Sequence, residues 1–144
     1  MRIALGSDMP AELAESVDRW LRARGHHVER FGALVTERED AWPSVATAVA
    51  TAVARGHADS GVLCCWTGTG VSIAANKVPG VRAALCNDPG TAAGARQWND
   101  ANVLCLSLRA TTPALAEEML ESWFSAHPTD DPAYQAMIEE IRAK

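Results

Sequence analysis

A thiol followed at once by a glycine-rich turn, Cys65-Trp66-Thr67-Gly68-Thr69-Gly70-Val71-Ser72, is the feature with the most chemical content. The residues before it, Ser60–Cys65, are a continuous apolar run of the kind that makes a strand buried on both faces. The residues after it take up helical spacing. At such a turn the glycines allow backbone N–H groups to point inward, and the start of the helix adds a partial positive charge. The resulting nest suits a phosphate or an oxyanion developing on a substrate. Fields of this kind also favour the thiolate of a cysteine at their edge. Tight turning alone explains the same glycines, and both readings stay open at this point. The loop is not a nucleoside-triphosphate loop, because the Gly-Lys-Ser/Thr ending is absent and Lys77 lies too far along. Nor does Gly68-Thr69-Gly70 continue as a dinucleotide fingerprint, since the helix after it is too short and starts too soon.

The other cysteines are Cys64, Cys86 and Cys105. Strand alternation points Cys64 and Cys65 to opposite faces, one to the core and one to the strand's exit. Cys86 and Cys105 read as small buried hydrophobes. No Cys-x-x-Cys spacing suggests redox chemistry, and neither spacing nor accompanying histidines suggests a metal site.

The elements that must position this loop alternate along the chain. Strands are predicted at Arg2–Gly6, His26–Phe31, Ser60–Cys65, Val81–Cys86 and Ala101–Leu106. Helices are predicted at Pro10–Arg24, Pro43–Arg55, Val71–Lys77, Pro89–Trp98 and Pro113–Phe124, with a last one near Ala133–Ala143. Successive β-α units imply an α/β fold: a three-layer α/β/α sandwich around a five-stranded, doubly wound, Rossmann-like parallel sheet. Ligands in such folds sit at the carboxyl ends of the strands. Three loops are therefore expected to converge: Ser7–Pro10, Trp66–Gly70 and Asn87–Gly90.

The 144 residues favour one domain, with 48 % hydrophobic and 22 % charged residues, the balance of an ordinary globular protein. A net charge of −5 without any Lys/Arg block argues against nucleic acid or an anionic membrane as partner. No apolar run approaches the ~20 residues that span a bilayer, and the N-terminus does not read as a signal peptide, so a cytoplasmic location is expected.

Gly6-Ser7-Asp8, the long run from Thr67 through Ser72-Ile73-Ala74-Ala75-Asn76-Lys77 to Cys86, and Asn99-Asp100-Ala101-Asn102-Val103-Leu104 resemble one family. It is the ribose-5-phosphate isomerase B / galactose-6-phosphate isomerase family of sugar isomerases, and the resemblance runs from Met1 to about Phe124. It implies aldose–ketose interconversion through an enediolate, without metal or organic cofactor. Cys65 matches the catalytic base, Thr67 the residue that shuttles protons between substrate oxygens, and Asp8 the residue that helps open the sugar ring. The amides of Gly68, Thr69 and Gly70 match those that hold the enediolate. Ser72 falls within the matched run, Asn99 matches a polar substrate contact, and Arg109 a phosphate contact. The resemblance also implies a homodimer or homotetramer whose sites take residues from a neighbouring chain. The single domain, residues 1–144, is then expected to carry a tail helix (about 128–144) that packs on the partner subunit.

Departures from the family cluster in its active site. Met9-Pro10-Ala11 stand where His-Ala-Gly is usual, Trp98 where a ring-opening histidine is usual, Trp66 for a glycine, and Trp42 for a tyrosine before Pro43. The arginine-bearing tail segment is replaced by Asp130-Asp131-Pro132-Ala133-Tyr134-Gln135-Ala136. Each charge-assisted bond to a phosphate contributes roughly 1.5–3 kcal/mol, so loss of several arginines disfavours a dianion. Trp42, Trp66 and Trp98 offer aromatic faces on which a sugar ring can stack. Trp20 and Trp123 read as helix-face core residues. The sequence therefore favours an isomerase for a modified or non-phosphorylated sugar. An ordinary ribose-5-phosphate-type isomerase and a non-catalytic, sugar-binding or partner subunit are the alternatives.

Overall fold

The computed structural model describes residues 1–142 and 144. Five parallel strands, β1 (Arg2–Ser7), β2 (His27–Gly32), β3 (Ser60–Cys65), β4 (Ala83–Leu85) and β5 (Val103–Ser107), lie in the order β2-β1-β3-β5-β4. Seven helices connect and flank them among the described residues: α1 (Glu12–Ala23), α2 (Ala33–Thr36), α3 (Trp42–Ala54), α4 (Thr69–Ala75), α5 (Pro89–Asn99), α6 (Pro113–Ser125) and α7 (Pro132–Arg142). The α/β sandwich inferred from periodicity is the observed fold.

Strand order and handedness together fix the layers. The chain moves one way across the sheet from β1 to β2 and from β4 to β5, and the other way from β2 to β3 and from β3 to β4. Right-handed crossovers then put α1 and α5 on one face, α3 and α4 on the other. The two apolar cores have that composition. One joins Leu13, Val17 and Leu21 of α1 to Ala92 and Ala95 of α5 and to Met119, Leu120 and Trp123 of α6. The other joins Val45, Val49 and Ala50 of α3 to Val71 and Ala75 of α4. Cys64 belongs to the first core and Cys65 to the second, the alternation expected of neighbours on one strand.

Several boundaries differ from the sequence-based ones for identifiable reasons. Helix α1 begins at Glu12 after an extended Ala11, so Pro10 lies before its first turn. Ser7 does not cap the helix, because its hydroxyl donates to the Met9 carbonyl at 2.7 Å. Helix α4 begins at Thr69, two residues earlier than its periodicity suggests, because Gly68 takes the left-handed N-cap conformation. Strand β4 is only three residues long. Before it, the Arg82 amide donates to Asn102 Oδ1 at 2.8 Å, which takes Arg82 out of the ladder.

The tail helix packs on its own chain. Ile138 is 1 % exposed, and Arg142 reaches back to Asp100 at 2.5 Å. Asp100 also pairs with Arg82 at 3.0 Å and Arg96 at 3.3 Å, so one carboxylate ties three segments together. Tyr134, Met137 and Ile141 remain on the outside of α7. Ala143, the end of the expected helix, lies outside the described residues.

Close approach of α3 to the sheet depends on missing side chains beneath it. A Cβ at Gly61 would lie 2.9 Å from Val49 Cγ1, and one at Gly6 would lie 2.8 Å from Val49 Cγ2. Gly61→Ala is therefore expected to destabilise the fold by about 1–3 kcal/mol through overpacking. Combining it with Val49→Ala should cost less than the sum of the two single changes, measured by denaturant unfolding. Strict additivity would show that the contact is not what limits this packing.

Candidate active site

Strand β1 sends the chain to one side and β3 to the other, so a crevice opens between their carboxyl ends. Ser7 lies opposite Cys64 in the register, and the Asp8 amide donates to the Cys64 carbonyl at 3.4 Å. The Ser7–Pro10 loop and the thiol loop are thus direct neighbours.

Gly68 shapes the thiol loop. Its φ of 77° is the left-handed region, and a Cβ there would lie 2.5 Å from Leu85 Cδ1 and 3.1 Å from the Leu106 carbonyl carbon. This turn brings the Gly68 N–H back onto Cys65 Sγ at 3.2 Å. The sulfur thus accepts from a backbone donor of its own loop. Cys65 is 5 % exposed, and the residues after it, Trp66 and Thr67, are open to solvent. The Thr67 and Thr69 hydroxyls share a hydrogen bond of 2.7 Å.

The other thiols are poor candidates for proton transfer. Burial pushes Cys64 up to about 12 and Cys86 up to about 11. Burial also raises Cys105 well above its ordinary value, while the Ser72 hydroxyl beside it works in the opposite direction. Ser72 thus faces the floor of β5 under the loop.

The loop after β5 braces the site from the other side. The Leu108 amide donates to the Cys65 carbonyl at 2.9 Å, and the Arg109 amide to the Trp66 carbonyl at 3.1 Å. Ser107 Oγ donates to the same Trp66 carbonyl at 2.9 Å. Arg109 keeps an exposed side chain next to this contact. Trp42 lies over the start of α4, where a Cβ on Gly70 would be 3.1 Å from its Cε3. Asp8, Met9, Trp42, Cys65, Trp66, Thr67, Gly68, Thr69, Gly70, Ser72 and Arg109 therefore belong to one end of the sheet.

Trp98 and Asn99 do not join them within the chain. They end α5, which starts at the carboxyl edge after β4 and runs back for 11 residues, about 16 Å. The segment that follows lies beside the start of β3, where the Gly61 amide donates to the Asn102 carbonyl at 2.9 Å. Antiparallel helix direction thus puts Trp98 and Asn99 at the edge of the sheet opposite Cys65 of the same chain. The Trp98 ring instead lies over Gly94 of its own helix. The Asn87–Gly90 loop follows β4, which β5 separates from β3, although Leu85 at the end of β4 reaches the thiol loop at Gly68.

Two contributors escaped the sequence reading. Ser107 holds the Trp66 carbonyl as just described. The segment after α2 folds over Asp8, whose carbonyl accepts the Asp40 amide at 2.8 Å. No periodicity marks either, since each acts through one backbone contact to a distant loop.

Asp8 is half-buried, and its Oδ1 is buried without a hydrogen-bond partner among the described residues. Burial, with the nearby Glu39 carboxylate adding to it, holds the Asp8 carboxyl above the usual range. A carboxyl that keeps its proton more tightly when folded stabilises the protein at low pH, and that contribution is lost as pH rises through the folded value. Asp8→Asn cannot ionise, so its stability relative to the unmodified protein is expected to increase from pH ~3, below the ordinary Asp value, to pH ~7. Thermal unfolding across that window checks this, and a difference independent of pH would contradict it.

With this geometry in hand, comparison with known proteins is specific. Residues 3–141 match the family model described as Ribose/Galactose Isomerase. The chain is 39 % identical over 143 residues to ribose-5-phosphate isomerase B of Escherichia coli, covering 99 % of this chain and 95 % of that one. It is 37 % identical over 127 residues to D-erythrulose-4-phosphate isomerase of Pectobacterium atrosepticum, covering 88 % and 84 %. The solved type B ribose 5-phosphate isomerase of Trypanosoma brucei superposes with a TM-score of 0.89 at 43 % identity, covering 99 % of this chain and 97 % of that one. The resemblance drawn from Gly6-Ser7-Asp8, the Thr67–Cys86 run and the Asn99–Leu104 segment is thereby established: this chain is an isomerase and belongs to the ribose/galactose isomerase family.

Proposed function

We propose that the protein interconverts an aldose phosphate and its ketose through an enediolate, with Cys65 as the base. The observation that carries this reading is the Gly68 N–H directed at Cys65 Sγ, 3.2 Å away, at the mouth of the crevice. Cys65 takes the proton from the carbon beside the carbonyl, and the electron pair stays on the substrate as the enediolate. Amides at the start of α4 face that charge, each such donor contributing about 3 kcal/mol in the transition state. Thr67 passes a proton from one enediolate oxygen to the other, and Cys65 returns its proton to the neighbouring carbon.

The relatives described above are all named for phosphorylated sugars, which supports a phosphorylated substrate over the free or modified sugar favoured by the missing tail arginines. Arg109, exposed beside the Trp66 carbonyl, is the cation assigned to that phosphate. Trp98, which only a second copy could bring to the crevice, has no proton suited to ring opening. That favours substrates that are open-chain, and a four-carbon sugar 4-phosphate is necessarily so because its distal hydroxyl is esterified. Erythrulose 4-phosphate and ribose 5-phosphate are therefore the two substrates to compare, with the open-chain one favoured.

Asn99 reaches the reaction only if a second copy supplies it. A homodimer is proposed, with the α5 end of one chain set against the crevice of the other.

The test is turnover of both phosphates and of free ribose and erythrulose. Arg109→Gln is expected to raise KM for the phosphorylated substrate about 10–100-fold with kcat little changed, the loss of one charge-assisted contact. Equal kcat/KM for free and phosphorylated sugars would contradict the assignment. Asn99→Ala and Cys65→Ala chains, inactive alone, are expected to recover activity when co-expressed. No recovery in a mixed dimer would contradict the shared site.

A further inference from the structure

The 2.7 Å contact between Thr67 Oγ1 and Thr69 Oγ1 has a consequence for the second half of the reaction. Resting on the enediolate reading above, we infer that Thr69 is a positioning residue: its hydroxyl donates to Thr67 and so turns the Thr67 proton toward the substrate.

A threonine hydroxyl has one proton to donate and two lone pairs to accept with. Moving a proton between two vicinal enediolate oxygens uses the donor toward one oxygen and one lone pair toward the other. One lone pair is left over. Filled by water, it leaves the rotor free to turn its proton away from the substrate. Filled by Thr69 O–H, it has a fixed direction, and the Thr67 proton has only the substrate side to point to. Thr69 suits this role because it is the first residue of α4, where Gly68 has just set the backbone direction. The left-handed Gly68 lies between the two threonines and brings i and i+2 side chains together across the turn.

The bonds made and broken are balanced without any co-reactant. The C–H bond breaks as S–H forms on Cys65. One O–H proton is taken up by Thr67 as Thr67 gives its own to the other oxygen. S–H then breaks as the new C–H forms. Thr69 gains and loses nothing. It acts only on the oxygen-to-oxygen transfer, so it separates two events that share one intermediate. Proton abstraction followed by return to the same carbon exchanges hydrogen without isomerising. Isomerisation also needs the oxygen transfer.

The experiment uses the whole protein in heavy water with ribose 5-phosphate and erythrulose 4-phosphate. It measures deuterium in recovered substrate and the rate of product formation for the unmodified chain, Thr69→Val and Thr69→Ser. Thr69→Val keeps shape but removes the hydroxyl. It is expected to lower kcat for isomerisation about tenfold, the effect of one hydrogen bond of about 1.4 kcal/mol, with KM unchanged. Exchange into recovered substrate should fall far less, so the ratio of exchange to isomerisation rises. Thr69→Ser should restore the original ratio. Equal losses of exchange and isomerisation in Thr69→Val, or no loss of either, would overturn the assignment. A chain that isomerises without Thr69 sensitivity overturns only this inference, whereas an unmodified chain that neither exchanges nor isomerises overturns the enediolate reading together with it.

Discussion

The N–H of Gly68 directed at the Cys65 sulfur is the contact around which the site is organised. It exists only because Gly68 is left-handed, with no room for a side chain between Leu85 and the Leu106 backbone. That single backbone choice ends β3, begins α4, turns a donor onto the thiol and sets Thr67 and Thr69 side by side. The surrounding contacts keep it in place. The β5 loop grips the Cys65 and Trp66 carbonyls, and Trp42 lies against Gly70. The neighbouring thiols Cys64, Cys86 and Cys105 are buried, and burial raises the pKa of each.

The fold supplies this arrangement through topology. Strands β1 and β3 are neighbours that send the chain in opposite directions, which leaves a crevice between their ends. Glycines at Gly6 and Gly61 let α3 settle onto the sheet, and α3 in turn carries Trp42 at its start. Stability and chemistry are kept at opposite ends. The Asp100 cluster, with Arg82, Arg96 and Arg142, binds the amino edge and the tail helix together, while at the carboxyl edge Asp8 leaves a buried carboxylate oxygen without a partner among the described residues. A group that weakens the fold in the crevice is characteristic of a site shaped for something other than stability.

Much of this was legible in the residues. The Ser60–Cys65 run and its glycine turn located the thiol, and the alternation of apolar segments led to the parallel sheet. What the residues did not disclose was distance across the sheet. Trp98 and Asn99 match family positions of the same site as Cys65, yet α5 runs antiparallel to the strands and carries them to the far edge of their own chain. Strand order is equally invisible to periodicity, and it is β5, not β4, that lies beside the thiol strand. Ser107 and the Asp40 segment act through single backbone bonds, which leave no pattern in composition or spacing.

In the proposed reaction Cys65 alone of the four cysteines moves the proton. Deuterium incorporation beside the substrate carbonyl in heavy water, with each cysteine changed to alanine in turn, tests this. Cys65→Ala is expected to lose both incorporation and product while remaining folded, and Cys64→Ala, Cys86→Ala and Cys105→Ala to keep both. Incorporation that persists in Cys65→Ala would contradict it and place the base elsewhere in the crevice.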